Sequence, residues 1–165
     1  PDLASFIRKI KKLNYRVKLD TNGANPDALN TLIEENLLDY IAMDIKAPRD
    51  QYQAVCGVAV DLAAIERSIR IILNSGIPYE FRTTVPPQFS CADVAAIAAW
   101  ISGAERYTLQ QFRKPETTGS IHDFRLLGAP HDNAWLATAL AQAQEHVAHC
   151  HARGFATPQR DLVTS

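Results

Sequence analysis

Cysteine, an excess of charge of either sign and long apolar runs are all scarce in this 165-residue chain, and each scarcity removes a class of protein. The three cysteines, Cys56, Cys91 and Cys150, are odd in number and far apart, so a disulfide framework is not expected and a reducing cytoplasm is the default compartment. A net charge of -1 gives no electrostatic reason to expect nucleic acid or an anionic membrane surface as partner. No apolar run approaches the roughly 20 residues needed to cross a bilayer. No signal peptide is apparent, because the chain opens Pro1-Asp2-Leu3 inside a pattern that already reads as a helix. That start, without Met, is expected of a piece of a longer chain.

What is present suits one ordinary core. With 47% hydrophobic and 21% charged residues, the chain reads as a single domain over residues 1–165. Strand and helix patterns alternate along it. Asp2 is placed to cap a helix in which Leu3, Phe6, Ile7, Ile10 and Leu13 recur at helical spacing, and a strand is expected over 15–20, where Tyr15, Val17 and Leu19 alternate with Arg16, Lys18 and Asp20. Asn22-Gly23 ends that strand, Asn25 and Pro26 open a second helix, and residues 39–46 form a second, nearly continuous apolar strand. A looser stretch, 51–57, precedes a helix capped by Asp61 and ended by Gly76. The third strand is expected over 79–85, a helix from Ser90 to Ile101 and a fourth strand over 105–112. Residues 113–130, with Pro115, Gly119, Gly128 and Pro130, read as a loop, and 131–154 as a last helix opened by Asp132 or Asn133.

This rhythm implies crossover connections and a parallel sheet. Side-chain parity adds that each strand has a polar face: Arg16, Lys18 and Asp20; Ala42, Asp44 and Lys46; Glu80, Arg82 and Thr84; Thr108, Gln110 and Phe112. Polar faces turned into a closed core would cost several kcal/mol for each unpaired group, so a concave surface open to solvent and to a polar ligand explains them better. Asp20 and Thr21 fall at the carboxyl end of a strand, where parallel α/β folds bind ligands.

Asp20-Thr21-Asn22-Gly23, Met43-Asp44-Ile45-Lys46-Ala47, Phe81-Arg82-Thr83-Thr84-Val85 and Leu109-Gln110-Gln111-Phe112, in that order, resemble successive strand ends of a radical S-adenosylmethionine (SAM) protein. The resemblance is to the glycyl-radical-enzyme activases, in particular the activating proteins of anaerobic ribonucleoside-triphosphate reductase. It implies a (β/α)6 partial barrel, a [4Fe-4S] cluster, and reductive cleavage of SAM to a 5′-deoxyadenosyl radical that abstracts a glycyl hydrogen on a partner enzyme. It also implies SAM contacts from Asp20, Thr21, Asp44, Lys46, Arg82 and Gln110. The Cys-x-x-x-Cys-x-x-Cys loop and the Gly-Gly-Glu-Pro segment of that pattern are absent, and family order places both upstream of Pro1. The chain is therefore expected to be the carboxyl-terminal part of such a barrel, with about four strands, helices on the outer face and the first two β/α units missing. On this reading the parent protein binds the cluster and this chain does not. The strand at 15–20 is then an edge through which the chain could self-associate.

Plainer readings stand beside these. Asp20 and Thr21 could only close a turn, Asp44 and Lys46 could form an ion pair, and Arg82 could pair with Glu80. Lys46 could also serve as a Schiff-base nucleophile. His146, His149 and Cys150 invite a metal reading, with His146 and Cys150 one turn apart on the expected last helix. Cys56 and Cys91 read as plain thiols. The alternative to an activase is a part-barrel that binds a small zwitterionic or anionic molecule, or a partner, without redox chemistry.

Overall fold

The computed structural model describes residues 2–113 and 128–155. Its elements are α1 (Leu3–Lys12), β1 (Lys18–Thr21), α2 (Pro26–Glu34), β2 (Tyr40–Asp44), α3 (Tyr52–Cys56), α4 (Leu62–Leu73), β3 (Tyr79–Val85), α5 (Cys91–Trp100), β4 (Arg106–Gln111), α6 (Asn133–Gln144) and β5 (His149–Arg153). The helix starts follow from their caps. Asp2, Asn25, Asp61 and Asp132 each accept a first-turn backbone N–H, and Ser90 forms a capping box with Asp93.

All five strands are parallel and stand in chain order, β1-β2-β3-β4-β5, so β1 is an edge strand. Alternate residues of the strands, Ile41, Met43, Phe81, Val85, Tyr107 and Leu109, turn to one side and are buried against the apolar stripes of the helices, with Ile69 and Ile72 of α4 and Val94 and Ile97 of α5 in the same cluster. The opposite face carries Lys18, Asp20, Asp44, Arg82 and Gln110. It is a part-barrel with its helices outside, as the parity of the strands predicts.

Three expectations need correction. The stretch 51–57 is not merely loose: α3 occupies most of it, closed by Gly57 at φ 69°. β1 begins at Lys18 rather than at 15, because the Asp39 carboxylate takes the Val17 N–H at 2.7 Å and Tyr15 is left exposed. The third concerns the last helix, which does not reach Arg153. The buried residues Ala139, Ala143, Val147 and Cys150 are spaced four, four and three apart and so imitate a helical stripe, yet α6 ends at Gln144 and β5 follows. The open edge of β4 decides this. Its unpaired backbone groups capture the chain through Ala148 N–H to Ala104 O at 2.9 Å and His149 N–H to Glu105 O at 3.1 Å, and the ladder then runs to Arg153. The sheet thus has five strands where four are expected. Of the expected loop over 113–130, residues 114–127, Pro115 and Gly119 among them, lie outside the described residues. No helix among the described residues is long and apolar enough to cross a membrane.

Candidate ligand site on the polar face of the sheet

Register brings the charged strand ends together. Asp44 of β2 lies opposite Arg82 of β3, and Asp20 of β1 lies opposite Ala42, whose small side chain leaves Arg82 room to reach across β2. The Arg82 guanidinium donates from Nη1 to Asp20 Oδ1 at 2.7 Å and from Nε and Nη2 to Asp44 Oδ1, both at 2.9 Å. Lys46 Nζ donates to the other Asp44 oxygen, Oδ2, at 2.8 Å. Burial works against the charge on Arg82, but the Asp44 and Asp20 carboxylates outweigh it and hold the guanidinium above its usual pKa. Arg82 is the most enclosed of the four, with a side chain 13% exposed against 30% for Asp44, 44% for Lys46 and 56% for Asp20. The Asp44–Lys46 pairing is the one expected. Arg82 does not pair with Glu80.

The backbone beneath is fixed by a buried relay. Tyr107 OH donates to Thr83 Oγ1 at 2.9 Å, and Thr83 Oγ1 donates to the carbonyl of Ile45 at 2.9 Å, between the two strand-end charges Asp44 and Lys46. Lys46 N–H in turn donates to Tyr52 OH at 3.3 Å, and Tyr52 is buried edge-on against Trp100. Ionic heads are thus presented from a rigid floor.

Thr21 and Gln110 stand apart from this group. Thr21 follows Asp20 and therefore turns to the helix side, opposite buried Met43, where its Oγ1 accepts the Gly23 N–H at 3.0 Å. Its hydroxyl closes the turn, as the plainer reading expects. That turn is pinned from α4 by Ser68, which donates to the Gly23 carbonyl at 2.7 Å. Glycine suits the position because its φ is 75°, and a Cβ there would press on the tip of the Met43 side chain. Gln110 is on the polar face, one step beyond Thr108, which is itself opposite Arg82, and no hydrogen bond joins it to the ionic group among the described residues. Lys18 is the residue that motif reading passed over. Its Nζ lies 3.7 Å from Asp20 Oδ1 and 3.6 Å from Glu80 Oε1, which extends the ionic network down the sheet. Parity places it on the polar face beside Asp20.

The histidine–cysteine group does not form a metal site. His146 lies beyond α6, while His149 and His151 project from β5 on the side away from Cys150, which is buried with its thiol pushed up to about 12. Burial also raises the thiols of Cys56, on α3, and Cys91, at the start of α5. Among the described residues no three His, Cys, Asp or Glu side chains are grouped to hold a metal ion. The three cysteines stand on three separate elements, α3, α5 and β5.

A parallel part-barrel with paired carboxylates and cations at its strand ends defines a scaffold for a small charged ligand. Comparison with known proteins narrows it. Residues 1–101 match the radical SAM superfamily, and the chain belongs to that superfamily. It is 30% identical over 131 residues to a Methanocaldococcus jannaschii protein named as a glycyl-radical enzyme activating enzyme, an alignment that takes in 76% of this chain and 54% of that protein. The chain thus spans about half the length of that relative. Its fold is similar to the crystal structure of a domain of pyruvate-formate lyase-activating enzyme from Bacteroides vulgatus, with a TM-score of 0.67 at 13% identity over 92% of this chain and 89% of the other.

Proposed function

We propose that this chain contributes the SAM-holding floor of a glycyl-radical activating enzyme, the observation that carries the reading being the Asp20–Arg82–Asp44–Lys46 network. The network holds two carboxylates and two cations and satisfies itself. A lone anion or cation entering it would leave one charge uncompensated in a partly enclosed site, whereas a zwitterion exchanges partners without imbalance. The amino-acid end of SAM is such a zwitterion. Asp20 and Asp44 suit its ammonium, and Arg82, with Lys46 beside it, suits its carboxylate through the bidentate geometry of a guanidinium. In the superfamily SAM supplies the radical on reduction. This chain's own residues bind and orient, and no step of electron delivery is assigned to them.

The partner in this proposal is a glycyl radical enzyme, with anaerobic ribonucleotide reductase as the example the resemblance suggests. Gln110 and the Thr21 turn are proposed to bound the ligand from either side. The Schiff-base reading loses support, because Lys46 is engaged by Asp44 at 2.8 Å as a cation. The non-redox reading has one specific observation in its favour, the scattered cysteines. Anaerobic reconstitution of the chain with iron and sulfide separates it from a chain that carries a cluster of its own: well under one [4Fe-4S] equivalent per chain is expected by absorbance and iron content. Recovery of about one cluster per chain, surviving single replacement of Cys56, Cys91 and Cys150, would contradict the account.

Self-association belongs to the same proposal. β1 is an edge strand, and beside it α1 and the chain leading to β1 expose Leu3, Phe6, Leu13 and Tyr15, between 48% and 65%. The isolated chain is expected to dimerise or aggregate with rising concentration in sedimentation runs, and Phe6→Glu with Leu13→Glu to shift it toward monomer. A clean monomer at high concentration for the unmodified chain would count against the exposed edge as a contact surface.

A further inference from the structure

The polar face has a second, differently charged half. Below the ionic network, toward the amino-terminal ends of the strands, lies an open depression of about 690 Å³ to which Lys18, Glu80, Arg106, His149, His151 and Arg153 all contribute. Among the described residues Glu80 is the only carboxylate in its lining, and it is already held, 7% exposed, by Lys18 at 3.6 Å and by the Thr108 hydroxyl at 3.2 Å. Neither Arg106 nor Arg153 has a carboxylate within ion-pair distance among the described residues. Register sets Arg106 beside His149 and Thr108 beside His151, and the two imidazole rings lie nearly parallel, 6.2 Å apart. Adjacent strands are separated by about 5 Å and alternate residues by about 7 Å. Arg106 is level with His149, whereas Arg153 is level with Gln110, four residues and about 13 Å further along β5, so the two guanidinium groups frame the imidazoles of His149 and His151 from either end of the depression.

We infer that this lower half of the polar face binds a phosphate-type oxyanion. Three fixed cations against one satisfied carboxylate leave no group to receive an ammonium, which sets the patch apart from the balanced network above it. An anion with several equivalent oxygens seated over His149 and His151 has a guanidinium fork toward either end of it, and the two rings add N–H donors on the same face. The depression falls within the range of about 300–1,000 Å³ typical of small-molecule sites. Arg106, Arg153, His149 and His151 take no part in the SAM reading, and Lys18, which also lies 3.7 Å from Asp20, is the one residue the two halves share.

The test is a titration of the full chain with inorganic phosphate and, separately, pyrophosphate at constant ionic strength, followed through the imidazole carbon-bound proton resonances and assigned with His149→Gln and His151→Gln. Saturable shifts of His149 and His151 are expected, with His131 and His146 unmoved. Arg106→Gln and Arg153→Gln should each raise the midpoint roughly tenfold or more, the scale of a lost charge-assisted hydrogen bond. Arg106→Lys should recover part of the loss. Pyrophosphate binding at least tenfold tighter than phosphate would assign the patch to phosphoanhydrides, and equal midpoints to a single phosphoryl group. Linear shifts shared by all histidines, midpoints unchanged in both arginine variants, or citrate binding as tightly as pyrophosphate would overturn the assignment. Arg106 and Arg153 are exposed, so thermal midpoints near that of the parent chain verify that the variants are folded.

Discussion

Phe81→Ala is expected to remove about 3–5 kcal/mol of folding stability, the range for deleting a buried aromatic ring. Phe81 sits in the middle of the central strand and is fully buried, with Met43 and Tyr107 opposite it on the two neighbouring strands and the Tyr79 ring 5.5 Å away edge-on. All of these lie on or pack against the helix-covered side of the sheet, so the void cannot be filled by a small movement of one element. Small domains hold only about 5–15 kcal/mol in total, so most of the variant should be unfolded in moderate urea where the parent chain is folded. Phe81→Leu, which keeps much of the volume, should cost appreciably less. Urea denaturation followed by circular dichroism checks both. A loss below about 1 kcal/mol for Phe81→Ala would mean that the faces of β3 are assigned the wrong way round, and with them the position of Arg82 one residue on.

That assignment of faces was legible in the sequence because β3 is punctuated at both ends, by Pro78 and by Pro86-Pro87, and alternates cleanly between them. The helix starts were legible for a similar reason, since Asp61 and Ser90 are caps whose chemistry is local. Lys46 and Arg82 could be nominated from parity and from the family resemblance, and the structure brings them together with Asp20 and Asp44. Thr21 shows the limit of motif reading. Two adjacent residues at a strand end cannot share a face, and the motif Asp-Thr-Asn-Gly does not itself say which of them the ligand side receives. β5 was hidden by a coincidence of spacing. Ala143, Val147 and Cys150 fit a helical period, and only the open edge of β4, a feature of the assembled sheet, selects the strand. Lys18 stands on the polar face by parity but lies outside the strand-end motifs, so they do not nominate it, and its approach to Glu80 across β2 exists only in the assembled sheet.

The second large effect concerns Arg82. Among the described residues Arg82 is the only side chain that touches both Asp20 and Asp44, and Arg82→Met leaves these two carboxylates with Lys18 and Lys46 as their remaining cations. Two consequences are expected together. Stability should fall by roughly 1–3 kcal/mol, as for unpairing partly buried charges, and SAM affinity should fall by about 1.5–3 kcal/mol, the worth of a charged hydrogen bond. Arg82→Lys retains the charge but not the fork, so it should restore more of the stability than of the affinity. The direct test is calorimetric titration of SAM into the folded chain and into folded Arg82→Met and Arg82→Lys at a temperature well below their unfolding midpoints. Saturable one-to-one binding to the parent chain, weakened roughly tenfold or more in Arg82→Met and only partly recovered in Arg82→Lys, is the predicted result; absence of saturable binding to the parent chain, or equal affinity in all three, would contradict the assignment of the polar face as the SAM-holding surface.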